Sequence, residues 1–320
     1  MGNLHARIYS SIPNVELVAV CDSDQSKAEK LAKKYKTKFY TDFQEMLKQE
    51  ELKAVSITVP TSLHKKVSLI CIDYGVNILV EKPLASSTQE AKLIADAAEK
   101  KGIILTIGHI ERFNPAILKL KDFIEQGLFG KIVSITIKRV GLFPPRVKDV
   151  NVVTDLAVHD LDIVCSLLSK FPKTIFATGG KGVNNNRIDY ADIFMDFGVT
   201  SCYLQVNWIT PVKIRTLSVT GTLGYCELDY VTQELTLYKS NYSSEAVPSE
   251  FKKFITKLSK PTRISAQVQK EEPLKLEITD FVNSIINKGK PLVTPQEGIN
   301  AIKLAEVVLK SLSEKKLLEL

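Results

Sequence analysis

The chain has 320 residues, 44% hydrophobic and 25% charged, with a formal charge of +7. That length allows two domains with separate cores, and the composition is that of an ordinary globular protein. No apolar run approaches a membrane span, and the lysines (Lys27, Lys30, Lys33, Lys34) are dispersed along helix faces rather than gathered into a basic block interleaved with aromatics, so neither a membrane nor a nucleic acid is the expected partner. The five cysteines (Cys21, Cys71, Cys165, Cys202, Cys226) form no Cys-x-x-Cys pair, which fits reduced thiols in a cytoplasm better than a disulfide framework or a zinc site.

In chain order, residues 15–21 predict a buried strand that Asp22 ends, with Asp24 as cap of a helix carrying Ala28, Leu31 and Ala32. Residues 54–59 predict a second strand, stopped by Pro60 and followed by a helix over 63–74 with Gly75 just beyond it. A third strand, 76–80, ends at Glu81, Lys82 and Pro83, because a proline cannot continue a ladder. Ser87-Thr88-Gln89-Glu90 is a capping box opening a helix that closes near Gly102, and residues 103–107 make a further strand. This alternation implies crossovers and a parallel sheet, hence an α/β, doubly wound Rossmann-type domain over residues 1–110.

Such a domain carries a glycine-rich turn between its first strand and first helix. Gly2 takes the place of the last glycine of that turn, and Asp22 lies twenty positions on, where an acid grips the adenosine ribose. On this reading the first strand and two glycines would lie upstream, and Met1 would be an internal methionine of the turn. The helix start (Gly2, Asn3, Leu4) and the strand ends (Asp22 with Ser23; Thr58, Val59 and Pro60 with the nearby His64; Glu81 with Lys82) are then the expected cofactor-binding residues. Lys82 is set at the carboxyl edge of the sheet, where open α/β folds bind ligands. The bland alternative is a surface turn with a solvated Glu-Lys pair.

Beyond residue 110 the pattern changes. Residues 133–139 alternate like a strand with one solvated face, and further strands are predicted at 175–178, 191–197, 202–208, 214–220, 224–229 and 234–238. Short turns between them indicate an α+β domain over residues 111–320, built on a large, mostly antiparallel open sheet. Residues 240–262 look like an irregular excursion. Thr294-Pro295-Gln296-Glu297 starts a last helix whose stripe (Ile302, Ala305, Leu309, Leu312) calls for a partner surface, with the first domain as the candidate. Within this domain Asp155, His159 and Asp162 follow i, i+4, i+7 spacing, which puts them on one face of a regular helix. A carboxylate one turn from a histidine can hold its tautomer and support a general base. A helix-surface network, a metal site and a satisfied core histidine remain the alternatives. Of the four histidines, His64 and His109 follow predicted strands and His159 shares its helix with acids, whereas His5 lies in the first helix.

Together these segments resemble the glucose-fructose oxidoreductase, inositol dehydrogenase and rhizopine-catabolism (Gfo/Idh/MocA) family of dinucleotide-dependent oxidoreductases. The likeness runs through residues 2–7, 20–22, 59–64, 81–85 and 155–159, and Glu81-Lys82-Pro83 followed by Asp155-x-x-x-His159 is its most specific part. The resemblance implies a lysine, Lys82, beside the nicotinamide, with Asp155 and His159 working on a sugar hydroxyl. It implies NAD as cofactor, favoured by the Asp22 carboxylate with NADP not excluded, and a homodimer or homotetramer. A narrower likeness, in residues 108–116, Arg139, residues 144–146 and residues 207–215, is to UDP-N-acetylglucosamine 3-dehydrogenases, which oxidise the 3-hydroxyl to a ketone. It implies His109, Arg112, Asn114, Arg146, Lys213 and Arg215 as substrate residues, the four cations being suited to a pyrophosphate; plain surface charge is the alternative for each. Asn151 departs from that subgroup, in which a glycine often follows the Asp149-Val150 pair. The expected activity is hydride transfer from a sugar secondary hydroxyl, first of all C3 of UDP-N-acetylglucosamine, to NAD(P). The alternatives are another sugar or an inositol-type polyol as substrate, or a dinucleotide-binding regulator without turnover.

Overall fold

A computed structural model describes residues 1–143, 150–183, 186–239 and 262–320. They form two compact units, Met1–Phe113 with Glu271–Glu306, and Asn114–Lys270 with Val307–Leu320.

The first unit opens with α1 (Gly2–Tyr9), β1 (Ala19–Cys21), α2 (Gln25–Tyr35), β2 (Lys38–Tyr40) and α3 (Phe43–Gln49). It continues through β3 (Ala54–Ile57), α4 (His64–Asp73), β4 (Asn77–Glu81), α5 (Thr88–Lys101) and β5 (Leu105–Gly108). β1 and β2 pair in parallel, and β3, β4 and β5 form a second parallel sheet. Helices cover the central strand on both faces, so Ile78, Leu79 and Val80 are all fully buried, and the strand is a continuous apolar run without alternation. Asp24 caps α2 through the Lys27 N–H, and Ser87 caps α5 through the Glu90 N–H, as their spacing predicts. The predicted strand at 15–21 is shorter than expected, because its ladder partner β2 is only three residues long.

Two helices from the C-terminal part of the chain complete this unit's core. Leu274, Ile278 and Phe281 of helix Pro273–Ile286 pack with Ile8 of α1 and Leu79 of β4. Val293, Ile299 and Ile302 join the cluster around β4 and β5. Helix Pro295–Glu314 approaches the sheet closely through Gly298, where an added Cβ would lie 2.8 Å from Ile107 Cγ1 and 3.5 Å from Leu84 Cβ. Gly298→Ala is therefore expected to cost about 1–3 kcal/mol by overpacking. A chemical-denaturation midpoint equal to that of the parent chain would refute this.

The second unit contains α6 (Pro115–Glu125), β6 (Ile132–Val140), α7 (Val158–Leu168), β7 (Thr174–Gly180), β8 (Tyr190–Asp196) and β9 (Ser201–Asn207). It continues with β10 (Ile214–Gly221), β11 (Gly224–Asp229), β12 (Glu234–Lys239), β13 (Thr262–Ser265) and β14 (Leu318–Glu319). These nine strands form one sheet in the order β13-β12-β11-β10-β6-β9-β8-β7-β14. Every ladder is antiparallel except β6–β9, which is parallel. On the inner face Ile135, Ile137 and Arg139 of β6 are buried at period two. The expected excursion at 240–262 lies almost wholly outside the described residues.

Candidate active site

In the first unit the functional side chains gather where strands end. β4 stops at Glu81, and the Lys82–Pro83 peptide that follows is cis, with Lys82 half-buried. His64 opens α4 and is 1% exposed. Its Nδ1 lies 2.8 Å from the Pro83 carbonyl oxygen and its Nε2 lies 2.9 Å from that of Val59. One imidazole thus ties the turn after β3 to the turn after β4, and His64 serves here as a brace for the Lys82 turn. Glu81 is held from α1: His5 Nε2 lies 2.9 Å from Glu81 Oε1, and His5 Nδ1 lies 3.1 Å from Ser56 Oγ, which in turn bonds Tyr9.

Gly2 and Thr58 come together, since a Cβ on Gly2 would stand 3.1 Å from Thr58 Oγ1. Asp22 and Ser23 are exposed beyond β1, and Asp22 Oδ1 accepts the Asp24 N–H at 2.9 Å. Asn3 accepts from Tyr35 at 3.4 Å, Leu4 is exposed, and Pro60 precedes the short 3-10 turn Thr61–Leu63. His109 is buried just after β5. Arg112 is 6% exposed and its Nη1 lies 2.9 Å from Glu297 Oε1. The guanidinium expected at a pyrophosphate is therefore already matched by a carboxylate, whose other oxygen accepts the Thr294 N–H at the start of the last helix.

These residues suit an adenine dinucleotide. Gly2, at a helix start that lacks any first-turn acid, fits a phosphate, and the exposed Asp22 at a strand end fits a ribose hydroxyl. Asp22 also opposes a 2′-phosphate.

In the second unit the helix that carries Asp155 and His159 starts with a cap. Asn151 Oδ1 accepts the N–H groups of Val153 at 3.0 Å and Thr154 at 3.1 Å. Where the subgroup pattern has glycine, this chain therefore uses asparagine to satisfy a helix start. Residues Val153–Ala157 form a turn of π-helix that runs into α7. This corrects the regular i, i+4, i+7 face expected for Asp155, His159 and Asp162. The wider turn interrupts the regular α-helical register between Asp155 and the other two, and such turns recur at functional sites. Asp155 and His159 are half-buried, whereas Asp162 is buried.

The residue that the spacing passed over is Asp160. It is 0% exposed and takes a two-pronged ion pair from Arg139, with Nε–Oδ2 and Nη2–Oδ1 both at 2.8 Å. Arg139, 1% exposed, lies under the Tyr230 ring at 4.7 Å from the centroid. This pair bolts α7, and with it His159, to β6. Arg215 stands directly opposite Arg139 in the β6–β10 ladder, on the same face. Asn114 caps α6 through the Ala116 N–H and donates to the Tyr230 carbonyl at 3.0 Å, so it holds the residue whose ring stacks on Arg139. Lys213 is exposed, and Arg146 lies outside the described residues. Arg187, which no sequence signal picked out, rests over Phe143, itself edge-on to Trp208 at 5.1 Å. Among the described residues no group of three or more His, Cys, Asp or Glu side chains could hold a metal ion.

Comparison with known proteins gives a consistent result. Residues 1–109 match the oxidoreductase family, NAD-binding Rossmann fold, and residues 121–320 match the oxidoreductase family, C-terminal alpha/beta domain. The chain is 28% identical over 286 residues to UDP-N-acetylglucosamine 3-dehydrogenase of Acidithiobacillus ferrooxidans, covering 89% of this chain and 85% of that one. It is 31% identical over 311 residues to scyllo-inositol 2-dehydrogenase (NAD(+)) of Bacillus subtilis, covering 92% and 86%. A solved structure of the Acidithiobacillus enzyme superposes with a TM-score of 0.84 at 26% identity, covering 98% of this chain and 94% of that one.

Proposed function

The chain belongs to the Gfo/Idh/MocA oxidoreductase family, and from that premise we propose that it oxidises the 3-hydroxyl of UDP-N-acetylglucosamine. At the coarser level it is an NAD-dependent oxidoreductase acting on a CH–OH group of a sugar or polyol. The observation that carries the proposal is Lys82 at the carboxyl rim of the parallel sheet, braced on one side by His64 and on the other by the His5–Glu81 bond. The nucleotide-sugar substrate is supported by likeness to the Acidithiobacillus enzyme over 89% of this chain.

NAD, when bound, supplies the acceptor for the two electrons and the hydrogen that leave the sugar carbon. Gly2, Asn3 and Thr58 would hold its phosphates and Asp22 its ribose. His159, oriented by Asp155, takes the hydroxyl proton at an imidazole nitrogen, and Lys82 Nζ steadies the developing alkoxide; Lys82 and His159 could exchange these tasks. Arg215 and Lys213 are the cations proposed for the pyrophosphate, and Arg112 pairs with Glu297. The described cysteines are all unbridged, which fits a reducing compartment such as the cytoplasm. A row of half-exposed rings, Phe176, Phe194 and Tyr203, lies in register across β7, β8 and β9 and supports a second copy packing on that outer face.

NADH formation, followed by its near-ultraviolet absorbance, tests the substrate. A signal with NAD and UDP-N-acetylglucosamine is expected. A signal with free inositols but none with the nucleotide sugar would replace this reading by the polyol one.

A further inference from the structure

The carboxyl ends of β6 and β9, the parallel pair of the large sheet, lie side by side, with Val140 opposite Asn207. In open α/β sheets ligands sit at that rim. Trp208 follows β9 directly, and its N–H donates to the Asp189 carbonyl at 2.9 Å, so the connection between β7 and β8 closes on the same rim. Asp189 is 2% exposed and takes no part in the redox steps. A buried carboxylate is kept only where hydrogen bonds replace its water. Here Oδ1 accepts the Gly182 N–H at 2.6 Å and Oδ2 the Val183 N–H at 2.8 Å, while the Asp189 N–H donates to the Gly180 carbonyl at 3.0 Å. Asp189 therefore ties the two feet of this connection to each other and to the sheet.

The residues just before it reach the helix that carries Asp155 and His159. The Ile188 carbonyl accepts the Val152 N–H at 3.1 Å. Arg187 is half-buried, lays its guanidinium over the Phe143 ring at 5.9 Å from the centroid, and donates from Nη1 to the Val150 carbonyl at 3.3 Å. Asn151 is thus held on both sides from the start of β8. It passes that hold on: its side chain accepts the Val153 and Thr154 N–H groups, and its backbone carbonyl accepts the Asp155 N–H at 3.0 Å. From the guanidinium to Asp155 the path is two hydrogen bonds with Asn151 between them. A turn of π-helix follows at once, a rare geometry, so the place of Asp155 depends on how firmly this start is held.

We propose that Arg187 is a positioning residue for Asp155: from the connection built on Asp189 it clamps the Val150–Asn151 peptide and so sets where the Asp155 carboxylate stands for His159. This rests on the reading of Asp155 and His159 as the pair at the sugar hydroxyl. It adds a cation that acts on the chemistry only through Asp155.

Arg187→Met and Arg187→Lys, each in the whole chain, test it. Methionine keeps an apolar stem for Phe143 and removes the donor; lysine keeps a cation and a donor. The first measurement is amide hydrogen exchange and needs no turnover. In Arg187→Met the amides of Val152 and Asp155 are expected to exchange about twofold to tenfold faster, the effect of one net hydrogen bond. Those of Gly182 and Val183, held by Asp189, are expected to stay as they are. Unchanged exchange at Val152 and Asp155 would overturn the clamp whatever the substrate proves to be. The second measurement is steady-state turnover, in the parent and in an Asp155→Asn background. Arg187→Met is expected to lose about tenfold to a hundredfold in kcat, the effect of a misplacement of about 1 Å. KM for NAD is expected to hold, because the residues proposed to bind NAD all belong to the first unit. Arg187→Lys is expected to restore most of the loss. In the Asp155→Asn background the methionine change is expected to have little further effect, since both act on one path. A parental kcat in Arg187→Met, a lysine variant no faster than it, or an equal loss in both backgrounds would overturn the role of Arg187 alone. A parental kcat in Asp155→Asn would instead overturn the reading of Asp155 on which that role rests.

Discussion

Lys82→Ala is expected to lower kcat by about 10²–10⁴, the usual worth of a positioned proton-handling group, while NAD still binds. Lys82 follows directly on β4, and the side chains holding that strand end are His64 and the His5–Glu81 pair. Those contacts run through other side chains, so they persist when the lysine is truncated. NAD affinity, measured by fluorescence or calorimetry, should therefore change little as turnover collapses. Lys82→Arg should not rescue it, because a guanidinium is a fixed charge with a different shape and cannot exchange a proton. His159→Ala should show the same split between binding and turnover. If both alanine variants turn over at near-parental rates, neither residue belongs at the reacting carbon.

The second large effect concerns stability. Arg139→Met is expected to destabilise the second unit by about 3–5 kcal/mol, because it strands the Asp160 carboxylate where no water reaches it. That is a large share of the ~5–15 kcal/mol that holds a typical domain together. Arg139 and Asp160 are 1% and 0% exposed and meet through two bonds of 2.8 Å. The paired change Arg139→Met with Asp160→Leu should recover most of the loss, since a buried ion pair replaced by apolar groups of like volume is often neutral. Denaturant unfolding of the single and double variants forms a cycle, and additive losses would show that the two charges do not depend on one another. The double variant is also informative for catalysis. If it folds well but turns over slowly, the ion pair matters because it sets the height of His159 on α7.

Much of this was legible in one dimension. The strands β3, β4 and β5 are apolar runs closed by Pro60, by Pro83 and by the glycine-histidine step after Ile107, and burial on both faces forces such runs. The caps at Asp24 and Ser87 announced their helices, and the family motif around Lys82 stood out against its neighbours. β2 and α3 were not legible, because Lys38 and Phe39 are exposed and Lys38–Tyr40 carries no apolar period. Nor was the one parallel ladder of the large sheet. Short turns suggest antiparallel neighbours, yet β6 lies between β9 and β10, and the stretch from α7 to β8 forms the crossover that a parallel pair requires. At the site, even spacing singled out Asp155, His159 and Asp162. It could not see the π-turn that interrupts the helix between Asp155 and His159, nor that Asp160 is the acid facing an arginine on β6.

From its residues alone the chain marks those segments that carry an apolar run, a cap or a closing proline, because such signals act within a few positions. It does not settle which charges are already satisfied. Arg112 meets Glu297, Arg139 meets Asp160, and Glu277 meets no counter-charge among the described residues. Each of these outcomes depends on a side chain distant in sequence and on how much water the fold removes, since the cost of a bare charge and the strength of a pair are both set by the surrounding dielectric.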